Sequence, residues 1–349
     1  MPSRLFVIGT SWNGVQSLCQ LVARLPADFP APICVVQHLS PEGPSNLPRI
    51  LSKAGPLPAS HPYQGESIRP GCIYVAPPDH HMLVRKGHMF LSRGPHENRT
   101  RPAVDALFRS AAIAYGPAVV GVVLTGHLDD GTAGLVAIKG GGGSAVVQDP
   151  AEASAPSMPT SALRHVEEVD FCCKVEEMPP IFVRLAHDDP APARAEQSAM
   201  LIEIENRIAA GIAGLSDLEA LEEKGRFCGL SCPECRSALC ELPAQRILRF
   251  RCRAGHAFSA QSLLCAQADV RESVLSQFYD CLRDESTLAD RVMSDPTYRG
   301  ADFAKQEAQR AGSLHRMAEQ LAEWSREMPR VASADALVQE LVHDSKLAG

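Results

Sequence analysis

Short, unbroken apolar runs recur through the first half of this chain, at residues 5–9, 33–37, 72–76, 119–125 and 144–148, each ending at Gly or a polar cluster. A run of this length, rich in Val, Ile and Leu and without polar alternation, is what a strand buried on both faces of a parallel sheet requires. Between the runs, residues 15–25, 45–54, 103–115 and 133–139 space their apolar positions with the period of a helix that covers one face. The alternation predicts an α/β fold, a doubly wound, mainly parallel, Rossmann-like sheet. A hairpin fits 82–85 and 88–91, turning at Lys86-Gly87.

The pattern breaks at residues 188–193, where Asp-Asp-Pro-Ala-Pro-Ala reads as a linker. Five regions follow: a catalytic layer over 1–187, a linker with helices over 188–226, a Cys-rich module over 227–260, a helical module over 261–330 and a tail over 331–349 with a short helix. In the helical module, Leu275, Leu282 and Ala289 and then Leu314, Leu321 and Met328 repeat at seven-residue steps on either side of Asp295-Pro296, which predicts an antiparallel helical hairpin. The first layer is expected to fold alone when the chain is cut near 187, because domain boundaries fall where few contacts cross.

Composition narrows the class. The chain has 349 residues, 45% of them hydrophobic, and a formal net charge of −7, so it has no excess of Lys and Arg with which to bind nucleic acid or an anionic membrane in general. No stretch has the length and apolarity of a membrane span, so no direct membrane insertion is expected. Twelve cysteines and no recognisable secretion signal point to the cytoplasm, where clustered Cys more often bind metal than form disulfides.

Three reactive side chains stand where apolar runs end: Ser11, His38 and an Asp in the Asp129-Asp130 pair. A Ser in the small-residue turn 9–14, at a helix N-terminus, can be a nucleophile with amide N–H groups nearby for an oxyanion. A His at the tip of the neighbouring strand can take its proton, and a carboxylate can hold the Nδ1 proton of that His. The physics leaves Asp129 and Asp130 open. Dinucleotide binding is excluded because Thr10 and Ser11 precede the next Gly, so the G-x-G-x-x-G fingerprint is absent, and because Gln37-His38 stand where an acidic residue should close the second strand. The lipase-type elbow fails as well, since Gly14 comes one position late.

Residues 5–185 resemble the catalytic domain of CheB-type protein-glutamate methylesterases. The resemblance rests on Gly9-Thr10-Ser11-Trp12-Asn13-Gly14, on Gln37-His38 and on the 124–131 loop with its Asp130-Gly131, supported by the 74–81 and 101–108 segments and by Ser157-Met158-Pro159. It implies a catalytic triad of Ser11, His38 and Asp130, with Asp129 secondary, and a substrate-binding or oxyanion region formed by Trp12, Gly126, His127 and Leu128. The implied reaction is hydrolysis of glutamate methyl esters on a methylated receptor or chemosensory protein, with glutamine deamidation as a side activity and no catalytic cofactor. The chain departs from the family pattern at Trp12, Asn13 and His127, beside the nucleophile. A receiver domain before the catalytic region is not expected from this sequence, so control is expected to come from elsewhere. The alternative is an impaired esterase kept as a signalling scaffold.

The Cys-rich module has its own chemistry. Cys232 and Cys235 form one pair and Cys252 and His256 another, a spacing at which two turns close a tetrahedral structural zinc site. Four protein ligands leave no open position for catalysis. Cys228 and Cys240 are left out of this set. Arg246, Arg249, Arg251 and Arg253 make a basic ribbon between the pairs, read as a solvated strand face, or else as a grip for an acidic partner; a regulatory protein is the partner expected at this module.

Overall fold

Strands β1 (Leu5–Thr10) and β2 (Ile33–Gln37) enclose helix α1 (Gly14–Val22), and α2 (Leu47–Ala54), β3 (Ala59–Ser60) and β4 (Ile73–Val75) follow. A separate antiparallel hairpin, β5 (His81–Arg85) and β6 (His88–Ser92), precedes α3 (Val104–Tyr115), β7 (Val119–Val123), α4 (Thr132–Gly140) and β8 (Ser144–Gln148). Helix α5 (Ser157–His165), β9 (Phe171–Cys173) and α6 (Met178–His187) complete the layer. These elements come from a computed structural model, which describes residues 4–190, 199–243, 246–298 and 302–328. The end of the linker and the tail over 331–349 lie outside the described residues.

Seven strands form one sheet in the order β3-β4-β2-β1-β7-β8-β9, and every adjacent pair is parallel. The predicted doubly wound sheet is therefore present, with β1 at its centre. Strand β1 explains why it carries no polar alternation. Leu5 and Val7 face a core built with Leu107 of α3, Leu135 of α4 and Met158 of α5, while Phe6 and Ile8 face a second core with Leu18 of α1, Leu51 of α2 and Phe182 of α6. With helices on both sides, each strand residue is removed from water, and an apolar side chain so buried contributes on the order of 1.5–3 kcal/mol.

After the linker come α7 (Ala199–Ala209) and α8 (Leu215–Lys224), then a four-stranded antiparallel ribbon of β10 (Arg226–Ser231), β11 (Ala238–Glu241), β12 (Arg249–Cys252) and β13 (Ala257–Ser259). Helices α9 (Ala260–Ser294) and α10 (Asp302–Glu327) end the described chain. Two compact units result, one ending at Leu263 and the other beginning at Leu264. In the second, Leu282 of α9 forms a small core with Ala318 and Leu321 of α10, whereas the later Glu285 pairs at 2.8 Å with the earlier Arg310, so the two helices run antiparallel. Among the described residues no helix is long and apolar enough to cross a membrane.

The ribbon belongs to the same compact unit as the α/β layer, and Arg249 and Arg251 are not on a solvated face. Arg251 is buried and donates to Glu97 and Glu205, both at 3.0 Å. Arg249 donates to Glu205 at 2.8 Å, and Arg109 of α3 holds Glu97 from the other side at 2.6 Å. The acidic partner of this basic strand is thus supplied by its own chain, from α7 and from the 96–100 loop. Arg246 and Arg253, toward the ribbon's surface, pair with Glu167 and Glu222.

Candidate active site

Ser11, His38 and Asp130 follow β1, β2 and β7, three neighbouring strands at the point where strand order reverses, the place where open α/β sheets collect ligands. Ser11 Oγ lies 3.2 Å from Nδ1 of His38, and Nε2 of His38 lies 2.8 Å from Oδ2 of Asp130. The structure brings the three residues into one hydrogen-bonded chain, and the ring presents its nitrogens in the opposite sense to the expectation. Nε2, not Nδ1, meets the carboxylate. Of the two adjacent carboxylates, Asp130 is the one that reaches His38, whereas Asp129 accepts from Ser259 Oγ at 2.6 Å.

The strand ends are stitched together so that these side chains keep their places. Gln37 donates to the carbonyls of Ser11 at 2.7 Å and His38 at 3.0 Å, tying the tip of β2 to that of β1. The amide of Ser11 and the hydroxyl of Thr10 both donate to the Thr125 carbonyl, at 2.9 Å each, which ties β1 to the loop after β7. Gly126 sits where any side chain would collide: a Cβ there would lie 2.1 Å from Met158 Sδ and 2.8 Å from Ser11 Cβ. Gly131 has φ 93°, a left-handed turn that delivers the chain from Asp130 into α4.

Asp130 receives the N-terminal amides of α3, Val104 N–H at 2.7 Å and Asp105 N–H at 3.1 Å, and Asn98 adds a third donor at 3.0 Å. Burial alone would raise its pKa, but the contact with His38, the Asn98 amide and the Val104 amide outweigh that and hold it below the ordinary carboxylate value. It therefore stays an anion that can hold the Nε2 proton of His38. Asp105 behaves oppositely: burial, then repulsion from Asp130, push it up to about 8, so this buried neighbour is mostly neutral at pH 7. Burial also raises Asp129 to about 6.

The backbone donors around Ser11 are not equally free. The amide of Gly126 is already bonded to the Ala155 carbonyl at 2.9 Å and is not a free donor, whereas the Trp12 amide has no protein acceptor among the described residues. The Trp12 indole is 63% exposed and lies against His127, with ring centroids 5.6 Å apart. Thr100 Oγ1, 3.4 Å from His38 Nε2, and Asn98 are neighbours of His38 and Asp130 that the sequence pattern did not mark, since they lie in a polar loop without periodicity. His81, by contrast, is buried within the layer, with Nε2 donating to the Pro95 carbonyl and Nδ1 accepting from the Ala103 amide.

Cys232, Cys235, Cys252 and His256 converge in the ribbon, their ligand atoms all within 4.8 Å of one another. Cys235 Sγ to Cys252 Sγ is 3.6 Å and Cys252 Sγ to His256 Nδ1 is 3.5 Å. A tetrahedron with metal–sulfur arms of roughly 2.3 Å has edges of roughly 3.8 Å, so the cluster is compatible with zinc. Glu234 completes the surroundings, with Oε2 3.3 Å from His256 Nε2. Cys228 lies apart from the cluster and donates to the Leu239 carbonyl.

The α/β layer is similar to known proteins. The family model for CheB methylesterase matches residues 6–182. A Myxococcus xanthus relative named protein-glutamate methylesterase/protein-glutamine glutaminase 4 is 40% identical over 153 residues, covering 44% of this chain and 43% of its own length. A Leptospira interrogans relative whose name carries the same two activities is 38% identical over 186 residues, covering 53% of this chain and 96% of the relative. The crystal structure of the Thermotoga maritima CheB methylesterase catalytic domain superposes with a TM-score of 0.51 at 32% identity, over 53% of this chain and all of that one. The ribbon and the helical unit lie outside the region that the family model matches.

Proposed function

This chain belongs to the CheB methylesterase family, and from that premise we propose that it hydrolyses glutamate methyl esters on a methylated chemoreceptor or a related chemosensory protein, with Ser11 as nucleophile. The observation that carries the reading is the continuous path from Ser11 Oγ through His38 to Asp130, at 3.2 and 2.8 Å, at the ends of three adjacent strands. Ser11 Oγ attacks the ester carbonyl and gives its proton to Nδ1 of His38, while Asp130 stabilises the charge that forms on the ring through Nε2. The tetrahedral oxyanion is held by backbone donors, the Trp12 amide among them. Its collapse expels methoxide, which takes the proton from His38 and leaves as methanol. Water, deprotonated by the same imidazole, then attacks the acyl-enzyme, and glutamate and free Ser11 are restored. With a glutamine side chain the same steps release ammonia, the second activity in the relatives' names.

Structural zinc held by Cys232, Cys235, Cys252 and His256 is part of this proposal. No cysteine among the described residues is in a disulfide, which suits a cytoplasmic protein. Incubating the full chain with a helical receptor peptide carrying glutamate methyl ester tests the reading. Methanol release by the wild-type chain and none by Ser11→Ala is expected; equal release by both would overturn it.

A further inference from the structure

Asn98 stands between the candidate catalytic carboxylate and the ribbon. Its amide nitrogen donates to Asp130 Oδ1 at 3.0 Å and to Asp105 Oδ2 at 2.9 Å. Its carbonyl oxygen accepts from the Ser259 amide at 2.9 Å and from Ser262 Oγ at 3.0 Å. Donors on one side and acceptors on the other leave only one orientation for this buried amide, and the serines that select it are on the ribbon side of the chain. Those serines form the junction of β13 with α9. Ser259 Oγ donates to Asp129 and accepts from the Ser262 amide at 3.0 Å, so the junction grips both carboxylates of the 129–130 pair, one directly and one through Asn98.

The 96–98 backbone is paired to the same junction: the Asn98 amide donates to the Ala257 carbonyl at 2.8 Å and the Ala257 amide to the His96 carbonyl at 3.1 Å. His96 Nδ1 meets Glu234 Oε2 at 2.8 Å, and the same oxygen faces His256 of the metal-binding cluster. Two independent sets of contacts thus fix the loop that carries Asn98. Without the amide of Asn98, the anionic Asp130 would lose the group that bridges it to the Asp105 carboxyl, and Oδ1 would be held by the Asp105 N–H alone, so the angle it presents to His38 would be less firmly set.

We propose that the β13–α9 junction positions the catalytic carboxylate, with Ser259 and Ser262 orienting Asn98 and Asn98 orienting Asp130, so that hydrolysis in the α/β layer depends on a seated ribbon. The proposal rests on the reading of Ser11, His38 and Asp130 as the triad. A small displacement of a triad member can cost on the order of 100-fold in rate without touching substrate, so the effect belongs in kcat.

The test compares the full chain with Ser262→Ala, Ser262→Thr, Asn98→Ala and Ser11→Ala, using p-nitrophenyl acetate as the probe ester and following thermal unfolding of each variant. Ser262→Ala is expected to lower kcat about 5–10-fold and Asn98→Ala about 100-fold with KM within about twofold, while Ser262→Thr, which keeps the hydroxyl, returns kcat to near the wild-type value. Wild-type kcat in both Ser262→Ala and Asn98→Ala, with Ser11→Ala inactive, would overturn the positioning role and leave the triad standing. A loss in Ser262→Ala that Ser262→Thr does not restore, and that follows the loss of thermal stability, would also overturn it. Activity retained in Ser11→Ala would remove the triad reading and this proposal with it.

Discussion

Arg251 of the ribbon donates through Nη2 to Oε1 of Glu97 at 3.0 Å, across 154 residues of sequence and beneath a fully buried surface. The contact joins a module that composition alone marks as separate to the loop that precedes α3. Arg251 also donates to Glu205 and, through Nη1, to the Gly255 carbonyl, so its charge is met by two carboxylates, while its buried Nε has no partner among the described residues. Glu97 and Glu205 are held below ordinary carboxylate values: burial opposes ionisation, and the surrounding arginines more than offset it.

Arg251→Met should therefore destabilise the protein by about 3–5 kcal/mol, because it leaves Glu97 and Glu205 buried with one cation fewer. Denaturant unfolding of the full chain measures this. A change below about 0.5 kcal/mol would show that the cluster contributes no net stability.

Acid should weaken the same cluster. Glu205 sits at about 2 in the folded chain against an ordinary value near 4.5, so the unfolded chain binds more protons between those values. Its contribution is full above about pH 4.5 and is lost as pH falls toward 2. The stability difference between wild type and Glu205→Gln should accordingly be largest near neutral pH and shrink below about pH 4.5; a difference that is flat with pH would contradict the assignment.

Elemental analysis of the purified chain should find about one zinc per molecule, and Cys235→Ser should lower that content sharply while exposing the ribbon to protease, since so small a module has little core of its own. Protein purified without zinc and with a protease-resistant ribbon would remove the metal from the account.

Much of this architecture is legible in the residue pattern, and the exceptions have physical causes. Strands β1, β2, β7 and β8 announce themselves because both faces are covered, so Val, Ile and Leu run without interruption. The edge strand β3 has only Ala59 and Ser60, too short to show any period, and β9 has three residues, only partly buried. Helix α5 carries Pro159 in its first turn and α6 carries Pro179 and Pro180, which disguise both segments as loops. The site was visible in part. Ser11, His38 and Asp130 each close an apolar run, whereas Asn98 meets Ser259 and Ser262 from more than 160 residues away, and no local spacing records such a partnership. Arg249 and Arg251 were misread for the same reason: a charged strand resembles a wet surface until Glu97 and Glu205 are brought to it by the fold.

The triad members should not count equally. Ser11→Ala and His38→Ala are expected to lower ester hydrolysis by on the order of 10⁴ to 10⁶, and Asp130→Asn by somewhat less, because removing either partner of the proton transfer abolishes it while the backbone donors survive. Steady-state kinetics of the three variants on one ester checks the order; a larger loss in Asp130→Asn than in Ser11→Ala would reverse the roles.

Most direct of all is covalent capture of the nucleophile. A fluorophosphonate treated with the full chain, followed by peptide mass spectrometry, should place a single adduct on Ser11 at a rate that falls at least 100-fold in His38→Ala, since only a hydroxyl with a base at hydrogen-bond distance reacts so selectively. An adduct on another serine, or none on Ser11 while methyl ester is still hydrolysed, would contradict the assignment of this site.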